Sequence, residues 1–292
     1  MAPRDDRADS KPMVSVVLIS FDGTTEQNLE TARELGFRHV QLRNVGTDLT
    51  VEELTPLRRE LLSARLSSVG LAVSSLSGGY GPLLETNKTE ERVEGERRLT
   101  RLAYDLGCRY VTGHIGSVRE SEWRHNSVFL RTVGTWIEEM EAAGTVFAVE
   151  SGPEHGESLR KLIDYFDSPS FRVNLDPANF LFYGYDVLSS CEALYDVSVH
   201  FHCKDARRRT PEDQLHASSV AGFPDAVHAE EVCVGKGEIP FDTILPELMS
   251  RRTVAVAAVE RESGETRQAD VLVAKRVLEQ YFGANQRERS NG

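Results

Sequence analysis

No apolar run in this chain approaches the roughly 20 residues that a membrane-spanning helix needs, so no membrane span or membrane partner is expected. The opening MAPRDDRADSKP holds no apolar core of the kind a secretory leader carries, and it reads as a disordered tail on a cytoplasmic protein. Cysteine is scarce: Cys108, Cys191, Cys203 and Cys233 lie far apart with no CxxC spacing, which argues against a zinc knuckle and a disulfide framework. They fit small buried residues in a reducing compartment. Positive charge is in deficit too, with 34 Lys and Arg against 46 Asp and Glu and a net charge of −12, so polyanions are repelled and no nucleic-acid partner is expected. The run Arg207, Arg208, Arg209 is either a solvated loop or a holder of an anionic or polyhydroxylated substrate.

What is present is enough for one large α/β domain: 292 residues, 40% hydrophobic and 27% charged. Short β-branched runs alternate with longer amphipathic segments, the pattern of parallel strands joined by crossover helices. Eight such runs start at Val14, His39, Leu71, Arg109, Thr145, Arg172, Val199 and Val254. Between them, Leu99, Leu102, Ala103 and Leu106 form one apolar helical stripe, and Ala274, Val277, Leu278 and Tyr281 form another. Gly36, Gly70, Gly107 and Gly144 follow helices where a left-handed cap is wanted. The expected fold is a single-domain (β/α)8 TIM barrel over residues 13–284, with disordered tails at 1–12 and 285–292. One connection breaks the rhythm. The stretch after the seventh run shows no period and contains Pro211, Gly222, Pro224, Gly235 and Gly237, and it is expected to form a lid over 207–237 or else a disordered insertion.

Four successive runs end in residues that can bind a metal: TVFAVE in Glu150, RVNLD in Asp176, VHFHCKD containing His202, and VAVAAVE in Glu260. The C-terminal ends of barrel strands open onto one face, so these side chains should converge. Three carboxylates and one imidazole suit a divalent ion, Mn²⁺, Mg²⁺, Co²⁺ or Zn²⁺, better than a thiolate site would. A buried, unpaired carboxylate at the end of a strand as apolar as that of Glu150 is costly, and a metal or an arginine must compensate. Taken alone, Glu150 would be a rim salt bridge and Asp176-Pro177 a turn.

His200, His202 and Lys204 alternate along one strand and share a side. His202 is nearer the open end and is taken as the ligand, His200 as a satisfied core histidine, and Lys204 as a group that binds a substrate oxygen. Asp205 points the other way and should orient a loop. His114 is a substrate-binding or supporting donor, with a helix-capping role as the alternative. Asn179 can point into the mouth as a neutral hydrogen-bonding group.

The order Glu150, Asp176, His202, Glu260, with the H-x-H-x-K-D text from His200 to Asp205 and the G-x-G-E-I-x-F text from Gly235 to Phe241, resembles the xylose isomerase-like TIM barrels, the sugar phosphate isomerase/epimerase group. The resemblance spans residues 14 to 283. It implies that the four residues hold one Mn²⁺-like ion, that Glu150 and Glu260 are also the acid/base pair, and that Arg208 binds substrate as in the ketose 3-epimerases. Two positions depart from that pattern: Asn179 stands where those epimerases often have histidine, and Gln41, ending the second strand, stands where many relatives have glutamate.

The chemistry expected is proton abstraction next to a carbonyl through an enediolate, which gives epimerisation or isomerisation of a small sugar or cyclitol. A β-eliminating dehydratase or lyase is the alternative. An apurinic endonuclease ranks lower, since Asp225 and His228 have the wrong spacing for its ligand pair. A non-catalytic ligand-binding barrel also ranks lower. Assembly into a homo-oligomer is left open.

Overall fold

The computed structural model describes residues 11–43, 50–51, 54–215 and 226–283. Each predicted run becomes a strand: β1 (Met13–Val17), β2 (His39–Arg43), β3 (Ala72–Ser77), β4 (Tyr110–Gly113), β5 (Val146–Glu150), β6 (Phe171–Leu175), β7 (Ser198–Cys203) and β10 (Val256–Val259). These strands close a parallel barrel in the order β1-β10-β7-β6-β5-β4-β3-β2. Around them run α1 (Thr25–Glu34), α2 (Pro56–Ser68), α3 (Thr89–Asp105), α4 (Glu120–Trp123), α5 (Ser127–Ala143), α6 (Gly156–Phe166), α7 (Pro177–Phe182), α8 (Val187–Glu192), α9 (Pro211–Leu215), α10 (Phe241–Arg251) and α11 (Arg267–Leu278). The chain is therefore a single-domain (β/α)8 TIM barrel. No described helix is long and apolar enough to cross a membrane. The predicted tails fall almost wholly outside the described residues, although Lys11 donates to the Gly283 carbonyl at 3.2 Å.

The helical stripes face the barrel as the spacing predicts, with Leu99, Leu102, Ala103, Ala274 and Leu278 all buried. Gly36, Gly70, Gly107 and Gly144 adopt φ between 70° and 75°, the left-handed conformation that releases the chain from a helix into the next strand. Behind β5, Phe147 packs edge-on to Trp136 at 4.8 Å and stacks near Phe171 at 6.4 Å. This aromatic wall buries the outer face of the strand that ends in Glu150. Truncating one of its rings to alanine would cost about 3–5 kcal/mol.

The connection after β7 is the one expected to form a lid over 207–237 or a disordered insertion. Its described part is folded: β8 (Asp205–Arg208) pairs antiparallel with β9 (Ala229–Val232), and residues 216–225 lie outside the described residues. The reason is a buried anchor. The Asp205 carboxylate accepts the backbone N–H groups of Ala206, Gly235, Gly237 and Ile239, which ties the return of the loop to the strand end, the loop-orienting role expected for it. The cysteine expectation needs one correction: all four are free, but Cys233 is only partly buried.

Inside the barrel, alternation decides which residues face the axis. Tyr110, Val146, Ala148, Val199 and Val256 fill the lower interior. Two and four residues further along these strands come Thr112 and His114, Glu150, and Ala258 and Glu260, joined from β7 by His200, His202 and Lys204, which alternate with the outward Phe201 and Cys203. The strand registers shift between Val40 and Gln41 and between Val173 and Asn174. Such irregularities re-aim side chains, and here they accompany an upper interior that is polar: Gln41, Ser75, Thr112, Asn174, His200 and His202 are all fully buried.

Candidate metal centre

Glu150 is the last residue of β5, Asp176 follows β6, His202 is the penultimate residue of β7, and Glu260 follows β10. The structure brings all four together: one ligand atom from each lies within 4.8 Å of the others, and all four residues are buried. His202 Nδ1 sits at the centre, 3.1 Å from Glu260 Oε2, 3.6 Å from Glu150 Oε1 and 3.7 Å from Asp176 Oδ2.

Asp176 does two things at once. It is the N-cap of α7, where its Oδ1 accepts the N–H groups of Ala178 at 3.0 Å and Asn179 at 3.3 Å, with Pro177 opening the helix. The Asp-Pro pair therefore starts a helix instead of making a plain turn. Its Oδ2 is left for the centre. The Ser151 hydroxyl receives the Asp176 N–H at 3.0 Å and so locks the end of β5 to the end of β6.

Asp176 Oδ2 and Glu260 Oε2 are buried without a hydrogen-bond partner. Both instead form ion-pair contacts with Lys204 Nζ, at 2.9 Å and 2.7 Å. Carboxylate oxygens gathered beside an imidazole nitrogen, all within the span of one coordination sphere, fit a divalent ion held by hard oxygen donors. With His202 neutral, as a metal ligand must be, the three carboxylates exceed the charge of Lys204 by two units, the charge such an ion carries.

The protonation states follow the same logic. Burial opposes charge on His202, but Glu260 and Glu150 outweigh it and hold its pKa well above the ordinary histidine value. Burial likewise opposes ionisation of Glu150, yet His114 and His202 drive its pKa well below the usual carboxylate range. Glu260 is also lowered, with His202 and Lys204 overcoming burial. For His200 burial wins, reinforced by His202, and its pKa falls well below the ordinary value. It is the satisfied core histidine expected: Nδ1 lies 2.8 Å from Asn174 Oδ1, and Nε2 lies 3.0 Å from Ser75 Oγ.

The other predicted residues divide. His114 Nε2 lies 3.3 Å from Glu150 Oε1. Asn179 Nδ2 donates to the same oxygen at 3.1 Å and to the Ser151 carbonyl at 3.1 Å. Lys204 is buried among the four clustered residues and also lies 3.7 Å from Glu262. Arg208 is apart from this group: it lies exposed on β8 and pairs with Glu238 Oε2 at 3.2 Å.

Sequence reasoning named Gln41 only as a departure from the family pattern and gave Asn174 no role. Gln41 sits in the middle of β2, not at its end, with Oε1 3.2 Å from His202 Nε2. Asn174 links the two histidines, its Nδ2 lying 3.3 Å from both ring nitrogens of His202. A polar residue flanked by apolar ones inside a strand, Val40-Gln41-Leu42 and Val173-Asn174-Leu175, is the signal that points to both.

No curated protein matches the chain by sequence. Among solved structures, a xylose isomerase-like TIM barrel protein from Mycobacterium smegmatis in complex with magnesium superposes with a TM-score of 0.72 at 14% identity, covering 94% of this chain and 97% of that one. An L-ribulose 3-epimerase gives a TM-score of 0.70 at 15% identity, with 96% and 97% covered. A probable 3-DHS dehydratase involved in petrobactin synthesis, from Bacillus anthracis, gives 0.67 at 18% identity, with 91% and 98% covered. Likeness at these identities speaks for the fold. The family model described as xylose isomerase-like TIM barrel matches residues 29–280, most of the chain, and the protein belongs to that family.

Proposed function

We propose that this protein is a divalent-metal-dependent isomerase or epimerase of a small sugar or cyclitol, acting by proton abstraction next to a carbonyl. The observation that carries the reading is the convergence of Glu150, Asp176, His202 and Glu260 on one buried point at the open end of the barrel. The set is matched to one ion, with Mn²⁺ the first choice, in contrast to the three-zinc cluster of an apurinic endonuclease.

When bound there, the ion would supply Lewis acidity that makes the C–H beside a carbonyl more acidic. The chain's own residues do the rest. Glu150 and Glu260 stand on strands separated by β6 and β7 around the barrel, so their carboxylates approach the centre from different sides. One takes the proton from a substrate carbon and leaves an enediolate on the substrate. The other, entering the step protonated, gives its own proton to the opposite face, which is epimerisation. Return to the neighbouring carbon is isomerisation. Lys204, His114 and Asn179 offer hydrogens to the substrate oxygens around that carbon. Arg208 would join them only on leaving Glu238.

A lyase is the second reading, and Lys204 favours it: a buried ammonium 2.7 Å from Glu260 is placed to protonate a departing hydroxyl. The test is ¹H NMR in D₂O of Mn²⁺-loaded and EDTA-stripped protein with ketoses and keto-inositols. Metal-dependent deuterium uptake beside the carbonyl, with product mass otherwise conserved, is the expected result. Loss of water would assign the lyase reaction, and no exchange with any candidate would count against proton abstraction.

A further inference from the structure

The polar chain inside the barrel points to a specific task for one residue that the proposed chemistry does not use. We propose that Gln41 is the positioning residue of the metal centre: its side-chain oxygen accepts the Nε2 hydrogen of His202 and holds the imidazole with Nδ1 facing the three carboxylates. The inference rests on the metal-dependent reading above and adds to it the element that sets the orientation of the ligand.

A neutral imidazole that binds a metal through one nitrogen carries its hydrogen on the other, and that hydrogen needs a buried acceptor. His202 Nδ1 is the nitrogen turned to the carboxylates, so the acceptor must lie at Nε2. Gln41 Oε1 is there, at 3.2 Å. Asn174 cannot take its place. The Asn174 oxygen lies 2.8 Å from His200 Nδ1, and His200 Nε2 is in turn occupied by the Ser75 hydroxyl at 3.0 Å. This leaves the Asn174 NH₂ group, a donor, facing His202.

Gln41 is itself held in place. Its Nε2 donates to Thr112 Oγ1 at 3.3 Å, and its side chain is fully buried. The register shift between Val40 and Gln41 falls at the residue that must aim inward. The chemistry of the group matters as well. An amide orients the imidazole as a carboxylate would, without adding a fourth negative charge next to Glu150, Asp176 and Glu260.

The test uses the full-length protein, metal-stripped and then titrated with Mn²⁺ by calorimetry, as wild type, Gln41→Leu and Gln41→Glu. The expected result is a roughly 10- to 100-fold weakening in Gln41→Leu, the usual cost of losing such a partner, with most of the affinity kept in Gln41→Glu. The readout that a merely structural role would not move is ¹⁵N NMR of the histidine rings in the Zn²⁺-loaded proteins. Wild type should show His202 protonated at Nε2, and Gln41→Leu should lose that pattern. Unchanged affinity in folded Gln41→Leu, or a wild-type ring protonated at Nδ1, overturns the proposal. Wild type that binds no divalent ion overturns the metal reading itself. Should Gln41→Leu fail to fold, Thr112→Val, which frees the amide while keeping its oxygen, decides in its place: weakened Mn²⁺ binding supports the proposal and unchanged binding ends it.

Discussion

Lys204 Nζ lies 2.7 Å from Glu260 Oε2 and 2.9 Å from Asp176 Oδ2, which puts one of the chain's own cations between two oxygens that would hold a metal. Lysine and metal therefore draw on the same carboxylates. Lys204→Met should leave those buried anions under-compensated and destabilise the metal-free protein by about 3–5 kcal/mol, the usual cost of removing one partner of a buried pair. Mn²⁺ should recover a good part of that loss. Urea denaturation with and without Mn²⁺ measures both quantities, and an equal loss in the two conditions would refute the sharing.

Glu260→Gln keeps the shape of the side chain and one oxygen donor but cannot take up a proton as a base. Turnover should fall by roughly 10²- to 10⁴-fold, the range that general acid–base groups contribute, while the thermal transition stays close to wild type. Wild-type activity in this variant would remove Glu260 from proton transfer.

Two carboxyl groups away from the centre set a pH dependence of stability. Burial raises Glu96 from 4.5 to about 8, and burial raises Glu154 from 4.5 to about 8 as well. Each has an oxygen with no hydrogen-bond partner. The folded protein then binds protons that the unfolded chain has released, so the contribution of these groups is fully present below pH 4.5, declines as pH rises and is gone above about 8. Melting temperature should fall from pH 5 to pH 8 in wild type, and the fall should be shallower in Glu96→Gln and Glu154→Gln. An unchanged slope in the double variant would show that other groups control it.

Asp205 gathers four backbone N–H groups on one buried carboxylate. Hydrogen bonds to a charged group contribute about 1.5–3 kcal/mol each and do not simply add, so Asp205→Ala should cost about 3 kcal/mol or more. Hydrogen exchange should quicken at Gly235, Gly237 and Ile239 ahead of the barrel strands. Uniform quickening across the molecule would mean that the anchor is not local.

The strands and the convergence of Glu150, Asp176, His202 and Glu260 were legible because each signal is local. A buried strand is a short β-branched run, a helix end is a glycine, and an inward carboxylate at an apolar strand end has few explanations. Features that depend on distant partners were not legible. Gln41 and His202 are 161 residues apart, and nothing near either one announces the contact. Arg208 matched a family position, yet Glu238, 30 residues on, holds its side chain. Strands β8 and β9 are only four residues each and become strands by pairing with one another. Glu96 lies in a charged segment that looks solvent-exposed in sequence, and only packing reveals it as buried.

One oxygen of Asp176 is fastened to the first turn of α7 before any ion arrives. A free carboxylate must stop rotating when it binds a metal, and that ordering opposes binding. Here the ordering accompanies folding, so the helix start acts as a brace for the centre. The same brace runs in the other direction: an ion pulling on the second oxygen pulls on α7, which lines the mouth through Asn179. Occupancy of the buried site would thus be felt as stiffness in α7.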